Sequence, residues 1–237
     1  MREDFLEVYD LAGTVVNIGK TRDYIESFDL KTQINSHKMP RERDCKTVID
    51  FFEDIYDENS SKTSGLKYFN KARQKICATK TLNFGEDWKI NETIYSFVNI
   101  AVKFYFKKYS YLEIIDKSSQ WRLCPSYNLQ RYDGENEGFF ALHNETSGNH
   151  PYRMLAWMVY LNDATSGTEF PYQEVIVSPK SGRTVIWPAA WTHPHKGVTP
   201  NIGLKYIATG WFYYLPKGEP QFDGHHPDEK RIQEIIV

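Results

Sequence analysis

His143, Glu145, His195 and Lys205 are the residues whose types and order could do chemistry together. One residue separates His143 from Glu145, the second histidine follows fifty residues after Glu145, and Lys205 lies ten residues beyond it. Two imidazoles and one carboxylate can fill one face of a divalent metal and leave the other positions open, which suits ferrous iron in oxygen chemistry. A lysine shortly after the second histidine is then a natural partner for a dianionic acid held by that metal.

A His-x-carboxylate pair alone is a weak signal. His226-Pro227-Asp228 also fits, but it lies in the polar stretch GHHPDEKR with no later histidine to complete a set. The second histidine is ambiguous as well. His193 and His195 in WTHPHKG fall on one side of an extended segment, so periodicity leaves both open.

The elements that must position these residues change character along the chain. Up to about residue 110 the texture is helical. TRDYIESFDL, CKTVIDFFEDIYDE and ETIYSFVNIAVKFYFKKYSYLEII place apolar residues at three- and four-residue spacing, and Ile94, Phe97, Val98, Ala101, Phe104 and Tyr105 make one face. From about 120 onward the texture is β: WRLCPSYNLQRY, YRMLAWMVYLN, EVIVSPKSG, RTVIWP and LKYIATGWFYYL are short β-branched and aromatic runs between turn residues. Such strands without crossover helices predict an antiparallel sandwich or barrel, not a parallel nucleotide-binding sheet.

The division follows: residues 1–110 as a supporting N-terminal helical layer, 111–216 as a β core carrying the site, and 217–237 as a tail. At 237 residues with 41% hydrophobic and 15% aromatic content, the chain can bury a substantial core. A formal charge of -2 gives no global basic field to recruit nucleic acid or acidic membrane. Cys45, Cys77 and Cys124 are odd in number and form no C-x-x-C pair, which reads as reduced thiols in a cytosol-like compartment. MREDFLEVYDLAG carries acids where a secretory signal needs an apolar run, and no segment reaches membrane-spanning length.

Ordered segments between Tyr132 and Trp211 resemble the catalytic core of the iron(II)- and 2-oxoglutarate-dependent dioxygenases, in particular their prolyl-4-hydroxylase-like branch with viral and bacterial members. MLAWMVYLND is similar to the family's strand ending in Tyr-Leu-Asn, GTEFPY to its Gly-Glu-Thr-x-Phe turn, and VSPKSGRTVIWP to its Pro-x-x-Gly strand. PHKGVTPNIGLKYIATGWF resembles the closing block, where the distal histidine stands nine or ten residues before the basic residue, which selects His195 over His193.

The resemblance implies a double-stranded β-helix of jelly-roll, cupin-like form with N-terminal helices packed on the major sheet. It implies His143, Glu145 and His195 as iron ligands and Lys205 as the partner of the distal carboxylate of 2-oxoglutarate, with a hydrogen bond from Tyr160. Tyr132 stands where the family places an aromatic hydroxyl near the co-substrate, and Trp211 matches a core aromatic of the wall. Fe(II), 2-oxoglutarate and O2 are the implied cofactors, with ascorbate as a further one, and succinate and CO2 the co-products. The location implied is the cytoplasm, or the host cytoplasm for a viral protein.

Two residues depart from the family pattern. Glu145 replaces the branch's usual aspartate, a change that jumonji-type relatives share, and Phe140 alters the surface before His143. The implied substrate is a prolyl residue in a peptide or protein, with Arg153, Arg131 and Trp191 as candidate contacts and YDGENEGFFALH as a loop able to fold over it. The alternatives are a non-catalytic β-sandwich binding module, a cupin-like metalloenzyme that does without 2-oxoglutarate, and a dioxygenase acting on a small molecule or nucleobase. Oligomeric state is open at this level.

Overall fold

Strands from the second half of the chain are joined in one sheet by others from the first. The computed structural model describes residues 7–9, 15–16, 42–56, 67–70, 75–83, 85–198 and 202–215. The segment TRDYIESFDL and the His226-Asp228 pair, like the tail from 217, lie outside the described residues. In chain order the elements are β1 (Glu7–Tyr9), β2 (Val15–Val16), α1 (Glu42–Ile55), β3 (Lys67–Asn70), β4 (Lys75–Asn83), α2 (Trp88–Lys108) and α3 (Tyr111–Ser118). There follow β5 (Trp121–Leu123), β6 (Ser126–Asp133), β7 (Gly138–Phe139), β8 (Arg153–Tyr160), β9 (Thr168–Phe170), β10 (Val175–Val177), β11 (Thr184–Pro188), β12 (Lys196–Gly197) and β13 (Leu204–Tyr214).

The major sheet runs β2-β1-β11-β8-β13-β6-β4-β3, with β5 added along β13 and β7 along β4; the minor sheet is β10-β9-β12. Every pairing is antiparallel. The two sheets and their order give the expected double-stranded β-helix.

Strand alternation divides the major sheet between two cores. Ala156, Met158 and Tyr160 of β8, Val185 and Trp187 of β11, and Ile207 of β13 face the minor sheet, where they meet Phe170, Val175 and Val177. The intervening Leu155, Trp157, Val159, Ile186, Ala208 and Phe212 face the helices. β8 is therefore buried on both sides, which is why RMLAWMVY reads as a continuous apolar run.

α2 covers the outer face with Ile90, Ile94, Phe97, Val98, Ala101, Val102 and Tyr105, close to the face expected from the periodicity. It packs over β11 and β8, and α1 packs against it. Each fully buried apolar side chain there contributes about 1.5–3 kcal/mol. Gly210 belongs to the same interface: a Cβ at this position would come within 2.4 Å of the Trp157 ring, so the close approach of β13 to that indole requires glycine.

Three expectations are corrected. The first half is not wholly helical, since β3 and β4 complete the sheet edge; KICATKTLN alternates too weakly, with two lysines, to stand out as a strand. The long helical stretch breaks at Tyr109 and Ser110 into α2 and α3, with Tyr109 at φ -109°, ψ 65° ending the first. Part of the expected loop before His143 is β7, paired with Lys75 and Ile76 of β4. Among the described residues no helix is long and apolar enough to cross a membrane.

Candidate functional site

The two sheets enclose a cavity of about 500 Å³, and His143, Glu145 and His195 meet on its wall. Their backbones are fixed before their side chains. The N–H of His143 donates to the His195 carbonyl at 3.0 Å and that of His195 returns to His143 at 2.8 Å, an antiparallel bridge outside the named strands. The amides of Glu145 and Thr146 both donate to Ala189 O, at 3.0 and 2.9 Å, so the end of β11 sets the acid beside that bridge.

Each imidazole turns Nδ1 to a carbonyl oxygen, His143 to Ala141 at 2.9 Å and His195 to His193 at 3.1 Å. In the neutral tautomer Nδ1 carries the proton, and the Nε2 lone pair points inward, the arrangement by which carbonyl partners orient metal-binding histidines. Glu145 Oε1 lies 3.7 Å from His143 Nε2 and 3.3 Å from His195 Nε2. One ligand atom from each residue falls within 4.8 Å of the others. Two imidazole nitrogens and a carboxylate oxygen converging this closely fit a divalent cation, and two nitrogens with one oxygen fit ferrous iron.

Apolar neighbours keep the site in its charge state. Phe139 stacks on His143 with ring centres 3.6 Å apart, and Trp187 meets His195 edge-on at 5.0 Å. Burial and the adjacent His195 push His143 down to about 4, so its imidazole is neutral at physiological pH. Burial alone would raise Glu145, but the neighbouring histidines and the Trp211 N–H outweigh it and hold the carboxyl at about 2.

Lys205, in β13, is 4% exposed and lines the same cavity. Its Nζ donates to Ser166 O and Oγ, both at 3.2 Å, and lies 4.7 Å from the centre of the Tyr132 ring. Among the described residues no carboxylate is within ion-pair reach of it. Burial pushes the ammonium down to about 8.

Tyr160 and Tyr132 line the cavity too, but their hydroxyls have other partners. Tyr160 donates to Thr168 Oγ1 at 2.7 Å and approaches Val177 O at 3.3 Å, while Tyr132 donates to Gln130 Oε1 at 2.7 Å. The hydrogen bond expected from Tyr160 to a co-substrate is therefore already directed within the protein. The Thr168 hydroxyl beside it has its own proton to give.

Of the expected substrate contacts, only Arg153 reaches the cavity, and there it touches Glu145. Arg131 lies on the opposite face of β6. Strand alternation that sends Asn128, Gln130 and Tyr132 to the cavity sends Arg131 to the helices, where it meets Glu53 at 3.3 Å and the Tyr56 ring at 4.1 Å. Trp191 is 74% exposed and does not line the cavity. His193 turns Nδ1 to Thr192 Oγ1 at 3.0 Å and stands outside the metal-binding group.

Sequence reasoning missed the roles of Ser166 and Thr168: Ser166 lies just before GTEFPY, and that segment, which contains Thr168, is matched only as a turn. It also took Trp211 only as wall. The indole lines the cavity, as expected, but Nε1 also donates to Glu145 Oε2 at 2.7 Å.

Comparison with known proteins agrees with the fold. The fold is similar to that of a prolyl-4-hydroxylase from Pseudomonas putida, at 14% identity and TM-score 0.54, over 77% of this chain and 91% of that one. It is also similar to the viral collagen prolyl hydroxylase of Paramecium Bursaria Chlorella virus-1 in its 2OG complex, at 15% identity and TM-score 0.51, over 74% and 92%. The α-ketoglutarate-dependent carbocyclase SnoK of nogalamycin biosynthesis, at 11% identity and TM-score 0.51 over 78% and 81%, shares the fold as well. No curated protein sequence matches the chain. The model of the 2OG-Fe(II) oxygenase superfamily matches residues 127–213, a stretch that runs from β6 through both histidines and Glu145 to the end of β13. Over that stretch the chain is similar to the 2OG-Fe(II) oxygenase superfamily, whose chemistry calls for Fe(II), 2-oxoglutarate and O2.

Proposed function

We propose that this protein is a 2-oxoglutarate-dependent dioxygenase that hydroxylates a prolyl residue in a peptide or protein. His143, Glu145 and His195 hold Fe(II), and Lys205 pairs with the distal carboxylate of 2-oxoglutarate. When bound, Fe(II) and 2-oxoglutarate supply the oxidation: O2 places one atom in succinate and the other in a substrate C–H bond, and CO2 leaves.

The observation that carries this reading is the placement of Lys205. A buried ammonium held, among the described residues, by Ser166 and the face of Tyr132 is costly unless an anion joins it. It shares one cavity with the metal-binding cluster of His143, Glu145 and His195. A ligand that chelates the metal at one end and carries a carboxylate at the other satisfies both. Thr168 gives that carboxylate its hydroxyl proton, and Tyr160 holds Thr168 in place by donating to it. A metal-free binding module would leave the His143, Glu145 and His195 cluster without a cation and Lys205 without an anion.

The prolyl substrate is supported by the resemblance of MLAWMVYLND and the closing block from Pro194 to the prolyl-hydroxylase branch. The fold does not choose it, since a carbocyclase shares the architecture. The cavity is also lined by Asn128, Gln130, Asn144 and Thr209, polar groups suited to a peptide backbone. The proposed domain plan keeps 111–216 as the catalytic core. β4, from the earlier region, completes its edge.

The test is turnover of 2-oxoglutarate to succinate by the iron-loaded protein, followed by a peptide library screened for a gain of one oxygen. Succinate without peptide oxidation would keep the dioxygenase and remove the prolyl substrate. No succinate with any substrate would remove both.

A further inference from the structure

On the reading that Glu145 ligates the metal, we propose that Trp211 and Arg153 are positioning residues that hold the outer oxygen of Glu145, so that only Oε1 is presented to the metal. Trp211 Nε1 donates to Oε2 at 2.7 Å, and Arg153 Nη1 approaches the same oxygen at 3.3 Å. The same Nη1 donates to the Glu145 backbone carbonyl at 3.2 Å, tying both ends of the residue to one guanidinium. That guanidinium lies 3.5 Å from the centre of the Trp211 ring and fixes the indole in turn. The three residues come from the start of β8, from β13 and from the segment before β8, so the clamp forms only in the folded sheet.

The need for a clamp follows from side-chain length and the coordination count. Glutamate has one more rotatable bond than the aspartate usual in the prolyl-hydroxylase-like branch, so its carboxylate can turn both oxygens to a metal. Octahedral iron with three protein ligands and a chelating 2-oxo acid has one position left for oxygen. A bidentate Glu145 would fill it. Occupying Oε2 with two donors keeps the residue monodentate and absorbs the extra methylene, with Oε1 left 3.3 Å from His195 Nε2 and 3.7 Å from His143 Nε2.

Co(II) titration of the full chain reads this directly, through affinity and the intensity of the visible d–d bands. Trp211→Phe keeps an aromatic, uncharged side chain but removes the donor. It should weaken Co(II) binding about tenfold, the scale of losing an outer partner of a metal ligand, and shift the bands as the carboxylate becomes bidentate. Glu145→Asp shortens the acid away from the indole, so Trp211→Phe should cost little in that background. Arg153→Met gives a second reading of opposite sign. A through-space effect of the lost charge would tighten metal binding, whereas loss of the clamp weakens it severalfold.

Melting curves of the metal-free variants establish folding, and Arg153→Met decides the matter if Trp211→Phe does not fold. Unaltered Co(II) affinity and spectrum in a folded Trp211→Phe would overturn the proposal. So would an equal loss from Trp211→Phe in the wild-type and Glu145→Asp backgrounds, or tighter binding by Arg153→Met. The ligand reading fails separately, if Glu145→Ala binds Co(II) like wild type.

Discussion

His143 and His195 are joined backbone to backbone, each donating its amide to the other's carbonyl at 3.0 and 2.8 Å. One small antiparallel bridge therefore carries both imidazoles of the candidate metal site, although fifty-two residues separate them in the chain. Because this bridge uses only peptide groups, the side chains can be changed without breaking it.

His143→Ala should fold and lose its metal. The side chain is partly exposed and its hydrogen bond goes to a nearby carbonyl, so melting of the metal-free protein should change little. Co(II) affinity, measured by calorimetry, should fall by more than the roughly 10–100-fold that loss of an outer-shell partner costs. Retained affinity would remove His143 from the ligand set.

Lys205→Met separates the two ends of the cavity. Affinity for 2-oxoglutarate in the Co(II)-loaded protein should fall by at least about 2 kcal/mol, roughly thirtyfold, as when one partner of a buried charge pair is truncated. Co(II) affinity should not change. The metal-free variant should melt at or above the wild-type temperature, because a buried ammonium has been replaced by an apolar chain.

The same lysine gives a pH signature. Its ammonium titrates at about 8 when folded, against 10.5 for an ordinary lysine. Between those values the unfolded chain holds a proton that the folded chain lacks, so the Lys205 contribution to metal-free stability rises with pH across that window. Below 8 both states are protonated and the contribution is flat. Binding of 2-oxoglutarate runs the other way and weakens, by up to about tenfold per pH unit, as pH rises above 8. Lys205→Met should flatten both profiles, read by denaturant melts and by calorimetry.

Arg131→Ala should cost stability without touching the site. Its guanidinium holds α1 to the sheet through Glu53, the Tyr206 hydroxyl at 3.4 Å and the Tyr56 ring. Glu53 is 39% exposed, so the expected loss is about 1–2 kcal/mol, below the figure for a fully buried pair. The KM for 2-oxoglutarate should be unchanged, and a large rise would place Arg131 at the site after all.

The contrast between Arg131 and Arg153 shows how far sequence carries. The candidate ligands His143, Glu145 and His195 and the cation Lys205 were legible because metal and anion chemistry restrict residue type and because matching strand blocks fixed their order. Whether a neighbouring arginine belongs to the site depends on which face of a strand it occupies. β6 is buried on both faces, with Leu129 toward the helices and Gln130 toward the cavity, so hydropathy gives no clue to the side. The sheet edge was hidden for a related reason: β4 carries lysines and adjoins strands far away in sequence. Trp211 could be placed at the cavity wall by alternation in β13, but its N–H bond to Glu145 depends on how two remote segments meet.

Succinate formation from 2-oxoglutarate by the Fe(II)-loaded protein tests the central claim most directly, with His143→Ala and Lys205→Ala run beside wild type. Wild type should release succinate with O2 consumption, His143→Ala should release none at any 2-oxoglutarate concentration, and Lys205→Ala should recover part of its rate only at high concentration. Equal succinate release by all three, or none by wild type with iron bound, would contradict the account.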